Sequence, residues 1–127
     1  MKRDMKQWLS QMLEAPVKKA MPVLSFPAVQ LMDVSVRELI SSSELQARGM
    51  ELVAQRTDAA ASVSLMDLSL EAECFGAQIR FFDDEVPTVV GSLITSLEEA
   101  EAMPVPQVGA GRTGIYIEAI RQAAERI

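Results

Sequence analysis

Val63-Ser64-Leu65-Met66-Asp67-Leu68-Ser69-Leu70-Glu71-Ala72-Glu73-Cys74-Phe75-Gly76 changes its pattern at Asp67. The residues leading into it, Ala59 to Met66, are small and apolar on both alternations, as expected of a parallel strand covered on both faces. From Leu68 to Phe75 the pattern reads as a short helix. Gly76 stops it, because a glycine just past the last turn can take the left-handed conformation that closes helices. A strand running directly into a helix is half of a βαβ unit. In parallel α/β barrels ligands bind at the carboxyl ends of strands, so Asp67 stands where a site residue would stand.

Working outward, Pro22 to Phe26 reads as a first short strand, with Pro22 tolerable at its start and Pro27 closing it. Before it, Met5, Trp8, Leu9, Met12 and Leu13 recur at three and four, predicting an amphipathic helix over Asp4 to Lys19 that Pro16 ends or kinks. Ser35 with Glu38 and Ser43 with Gln46 have capping-box spacing and predict helices over Val36–Ser41 and Glu44–Gln55. The second should bury Leu45, Leu52 and Val53, and its Gly49 suggests the close approach of another backbone.

Beyond Gly76, Gln78–Phe82 and Val86–Val90 predict a hairpin around the acidic turn Asp83, Asp84, Glu85. Ser96 with Glu99 starts a helix to about Ala102. Pro104 and Pro106 open an exposed linker, and a last helix runs from about Thr113 to Arg126. The alternation argues for an α/β fold with a parallel sheet. A closed (β/α)8 TIM-type barrel typically takes ~250 residues, so this chain supplies about half of one at most. The expectation is a single partial domain over 1–127, the N-terminal portion of such a barrel. It would have an N-terminal helix in 1–20, then the first βα units and a β-hairpin insertion in 21–127.

Composition narrows the chemistry. The chain has 127 residues, 49% of them hydrophobic and 24% charged, as in ordinary globular proteins. Its net charge of -6 repels phosphate backbones and argues against nucleic acid as a partner. No apolar run reaches the ~18 residues a membrane span needs, and no signal-peptide core follows Met1 to Lys6, so a cytoplasmic protein is expected. A single cysteine excludes an internal disulfide. The absence of any histidine removes that residue from every catalytic and metal-binding scheme.

Among the remaining candidates, Glu71 lies four residues after Asp67, so on a helix the two carboxylates would share a face as a polar pair. Asp67 could equally do no more than cap the following helix. Glu73 points elsewhere and reads as solvated. Gly109-Ala110-Gly111-Arg112-Thr113-Gly114 matches the G-x-G-x-x-G pattern of dinucleotide loops, but prolines precede it instead of a strand, and no acidic residue follows about 20 positions on. It reads as a flexible loop leading into a helix, from which Arg112 can reach an anionic group. Cys74, lacking histidine partners, reads as a buried structural cysteine, and the methionines as core. The N-terminal helix, with Lys2, Arg3 and Lys6 beside Trp8, is expected to pack on its own barrel or on a second subunit.

The stretch from Val63 to Gly76 resembles the uroporphyrinogen decarboxylase superfamily, whose members close a (β/α)8 barrel. Its Met-Asp-Leu-Ser-x-Glu-Ala-Glu-x-Phe-Gly form is most similar to the corrinoid-dependent branch, the methylcobamide:coenzyme M type of methyltransferase. Agreement continues through Ile79, Pro87, the Gly111-Arg112 loop and the helix from Tyr116 to Ile127, and it covers the family's N-terminal portion. The resemblance implies that Asp67 belongs to the barrel mouth, where an aspartate of the decarboxylases hydrogen-bonds substrate pyrrole nitrogens. Decarboxylases also carry an arginine-bearing segment after strand one. Here that stretch, Phe26-Pro27-Ala28-Val29-Gln30-Leu31-Met32, has no arginine, which leaves Gln30 as its polar residue and argues against holding a polyanionic porphyrinogen.

The implied function is transfer of a methyl group from a methylcorrinoid to a thiol acceptor. By resemblance, a full-length relative uses zinc, bound through a histidine and two cysteines, and methylcobalamin carried by a corrinoid protein. This chain lacks those ligands and should bind neither cofactor alone. Asp67, Glu71, Gln30 and Arg112 are its candidate substrate-side residues. A decarboxylase-type enzyme and a non-catalytic partner-binding module are the alternatives. Open strand edges should drive self-association or pairing with the missing C-terminal half.

Overall fold

The computed structural model describes residues 3–127. Helix α1 spans Met5–Glu14, started by Asp4, whose Oδ1 accepts from the Lys6 and Gln7 amides at 2.9 and 3.1 Å. It ends short of the expected Lys19. Pro16 disfavours helical backbone at the residue before it, and Ala15 is extended at ψ 128°. Helix α2, Ala28–Met32, was not foreseen, and it closes on Asp33 in the left-handed conformation. Helices α3, Val36–Ser41, and α4, Ser43–Arg56, follow in immediate succession. Ser35 and Glu38 form the expected capping box. At α4 the cap shifts by one residue: Ser42, not Ser43, takes the Leu45 amide at 3.2 Å.

The two expected parallel strands are not formed. Residues 21–24 and 59–66 have no ladder, although they run side by side in the same direction. Ala60 N donates to Ala20 O at 2.8 Å, and Ser25 Oγ donates to Ser64 O at 3.1 Å. A ladder needs repeated amide donors, and Pro22 removes one from the first segment. The burial expected on both faces is also one-sided. Leu65, Asp67 and Ser69 are buried, while the alternate residues Met66 and Leu68 are 54% and 85% exposed.

Helix α5, Leu70–Cys74, is shorter than expected because Asp67, Leu68 and Ser69 form a turn ahead of it. Strands β1, Gln78–Arg80, and β2, Thr88–Val90, pair antiparallel with Ile79 opposite Val89. The hairpin is therefore present, with strands of three residues rather than five. Arg37 ties its turn to α3, donating from Nε to Asp83 at 2.7 Å and from Nη2 to Phe81 O at 3.0 Å. Helix α6, Leu97–Ala102, has its capping box from Ser96 and Glu99 but buries no residue. Helix α7 runs Thr113–Arg126 as expected.

Two clusters hold the chain together. Ala47 and Met50 of α4 meet Ala119 and Ala123 of α7, and the small alanines let the helices approach closely. Leu52 and Val53, expected in the core, are only half-buried along with Leu45. The second cluster joins Val36, Leu39 and Ile40 of α3 to Leu65, Leu70 and Tyr116. Gly49 is where α2 crosses α4: a Cβ there would lie 3.0 Å from the Ala28 Cβ.

Candidate functional site

Asp67 is set by the turn that follows residues 59–66, with its carboxylate wholly buried. Oδ1 accepts from the Ser69 amide at 2.9 Å and from Ser69 Oγ at 2.6 Å. Oδ2 accepts from Arg112 Nη1 at 2.7 Å and from the Tyr116 hydroxyl at 2.9 Å. A carboxylate has about four acceptor positions, so this one is filled by its own chain.

Arg112 arrives from the opposite end of the sequence. Gly109 and Gly111 take positive φ, 83° and 53°, and turn the loop into α7. Gly114 packs so closely on that loop that a Cβ would fall 2.8 Å from Gly109 O. These glycines serve a tight turn that aims a guanidinium inward, not a phosphate cradle. Arg112 also donates from Nε to Glu73 Oε2 at 2.5 Å and lies over the Phe81 ring, 5.0 Å from its centroid. Its side chain is 12% exposed.

Burial pushes the Asp67 carboxyl up, but the Ser69, Arg112 and Tyr116 hydrogen bonds outweigh it and hold the pKa below the ordinary value. Burial likewise opposes the charge on Arg112, yet Asp67 and Glu73 raise its pKa overall. Tyr116 is pushed far up, by burial first and then by the adjacent Asp67 charge. The site therefore holds one cation against two carboxylates and is net negative.

The structure brings Asp67 and Arg112 together and leaves the other candidates elsewhere. Glu71 is exposed and does not pair with Asp67. The helix begins only at Leu70, so the four-residue rule does not span the two. Glu73, expected to be solvated, is instead half-buried against Arg112. Gln30 is exposed on α2. Cys74 is half-buried, with Sγ 3.1 Å from Ala110 O. Tyr116 and Ser69 were missed as site residues. Their signals were present: Tyr116 lies four residues beyond Arg112 on one helix face, and Ser69 lies two beyond Asp67 at turn spacing.

The site is thus a buried aspartate at the point where an extended segment passes into a helix, held by an arginine from the far end of the chain. The chain belongs to the uroporphyrinogen decarboxylase family: that family's model matches residues 11–127. The mixed helices and strands are compatible with part of that family's fold. No curated protein and no solved structure matches the chain. Among the described residues, no helix is long and apolar enough to cross a membrane.

Proposed function

We propose that this chain forms one side of the mouth of a methyl-transfer-type member of the family, acting on a methyl group exchanged between a corrinoid and a thiol acceptor. The observation that carries this reading is the charge at the site. Arg112, the only cation there among the described residues, is already shared between Asp67 and Glu73 at 2.7 and 2.5 Å. A porphyrinogen with many carboxylates would need unshared arginines. A methyl donor and a thiol do not.

The residues present do not fit a zinc site. The chain has no histidine and one cysteine, and among the described residues no three metal-ligating side chains gather. On this reading zinc and the corrinoid would be held by other parts of an assembled barrel, and the residues of this chain take no part in ligating them. This chain's own part is to fix the mouth: Asp67 locks Ser69, Arg112 and Tyr116 into one buried unit, while exposed Glu71 stays free to meet solvent or substrate.

Two measurements test the reading. Titration with a polycarboxylate porphyrin, followed by its fluorescence, should show no saturable binding to this chain. Co-expression with the coding sequence adjoining its own should yield a barrel that demethylates methylcobalamin in the presence of a thiol. An assembled barrel that turns over a porphyrinogen, or that leaves methylcobalamin untouched, overturns the proposal.

A further inference from the structure

Residues 91–102 follow the hairpin, and every one of them is exposed. Helix α6 lies within that stretch and buries nothing. Among the described residues, no hydrogen bond joins 92–106 to the rest of the chain; the bonds made there are local ones around Ser96 and Glu99. A segment with so few ties opens at little cost in free energy. Its composition is nonetheless not that of a plain linker. Leu93, Ile94 and Leu97 are large and apolar, Leu97 at 70% exposure, and the capping box keeps α6 helical without help from packing. On α6, Leu97 and Ala100 share one side, Glu98 and Glu99 lie on the other, and Glu101 flanks the first.

Both ends of this segment sit at the rim of one groove. The groove is open, about 240 Å³, and lies between α5, residues 105–109 and α7, where Phe75, Val105, Pro106, Val108 and Ile117 make its lining mostly apolar. Val105 and Pro106 are the segment's C-terminal root. At its N-terminal root, Leu93 Cδ1 lies 3.9 Å from where a Cβ on Gly76 would stand, one residue beyond Phe75. Gly91, at φ 72° and with nothing within 4 Å of a Cβ, leaves the departure from β2 sterically free.

We propose that residues 94–104 form a strap that swings onto this groove, laying Leu97 over Phe75 and Ile117 and closing Cys74 off from water. Continuity selects the occupant. Tethered at two points of the rim, the apolar side of α6 is held at high effective concentration beside the groove, which no separate molecule matches. Charge accounts for the open form. Closure carries Glu98, Glu99 and Glu101 toward Glu71 in the groove lining, and the strap brings no cation of its own. Burial of Leu97 is thus set against like-charge repulsion, two opposing contributions that leave open and closed forms close in free energy. No residue of the Asp67 unit takes part, so the strap stands apart from the methyl-transfer reading.

Disulfide trapping on the full chain tests it, since Cys74 is the only cysteine and lines the groove. Leu97→Cys should form an intramolecular bridge to Cys74 under diamide, which takes up the two thiol hydrogens, so that the chain's mass falls by those two hydrogens. Glu98→Cys, next along the chain but on the other side of α6, should bridge more slowly by about ten-fold or more. The two positions share one tether, so random collision of a loose segment would give them equal rates. Glu98→Cys also removes an opposing carboxylate, which makes the comparison the more demanding one. Both side chains are exposed, so each variant should keep its helical circular dichroism. Equal rates at the two positions, no bridge from Leu97→Cys, or bridges formed only between chains overturns the proposal.

Discussion

Replacing Asp67 with asparagine isolates the central interaction without changing its shape. The new carbonyl oxygen can still accept from the Ser69 amide and hydroxyl, but the amide nitrogen now faces Arg112 and Tyr116. The tyrosine hydroxyl can turn and accept from that nitrogen, whereas the guanidinium cannot accept at all. Removing one partner of a buried ion pair costs about 3–5 kcal/mol when the other is stranded. Arg112 is not stranded, because Glu73 still holds it, so the expected loss is about 2–3 kcal/mol. For a chain of this size that lowers the melting temperature by roughly 8–12 °C, read by far-ultraviolet circular dichroism.

The pH dependence has a definite sign. Asp67 has a folded pKa below its unfolded value, so its contribution is present above the ordinary carboxyl range and is lost as pH falls through the folded value. The gap between the natural chain and Asp67→Asn should be full at pH 7 and should close below about pH 4. A drop under about 2 °C at pH 7, or a gap that persists in acid, would refute the account of Asp67 as the charged centre of this unit.

Two further substitutions probe the same unit. Tyr116→Phe should cost about 1.5–2 kcal/mol in urea unfolding, as the loss of one hydrogen bond to a charged acceptor in a unit that keeps three others. Tyr116 is the only tyrosine, so its absorbance at high pH should show a phenol that stays protonated above its ordinary pKa while the chain is folded, and titrates normally in urea; a normal titration in the folded chain contradicts its burial against Asp67. Gly114→Ala should destabilise by about 1–2 kcal/mol despite alanine's better helix propensity, because its Cβ meets the Gly109 carbonyl; a stabilised variant would show that the loop does not pack as described.

How much of this was legible depends on whether a signal was local. The capping boxes at Ser35 and Ser96 and the last helix could be read because a few neighbouring side chains decide them. Helix α2 could not, since Ala28 to Met32 carries no cap and is held by Gly49 of a distant helix. The strands expected at 22–26 and 59–66 have the right composition, but a ladder is a property of pairs, and Pro22 subtracts a donor from one partner. At the site, Asp67 and Arg112 were each marked by position, one at a segment's end and one in a glycine loop. Their pairing across 45 residues was not readable, and neither was the choice of Glu73 over Glu71, which turns on where α5 begins.

That choice bears on function. Had Glu71 joined Asp67, the pair would have been two carboxylates competing for charge, the usual arrangement for raising one pKa and storing a proton. With Glu73 on Arg112 instead, Asp67 is held ionised and occupied, a poor proton donor and a poor ligand for a new hydrogen-bond donor. The exposed Met66 and Leu68 flank this unit on the other alternation, so the apolar surface available to further structure and the filled carboxylate lie back to back on one segment. The two alternations of residues 65–69 are therefore separable: Asp67→Asn perturbs the buried one and leaves the exposed Met66 and Leu68 unchanged.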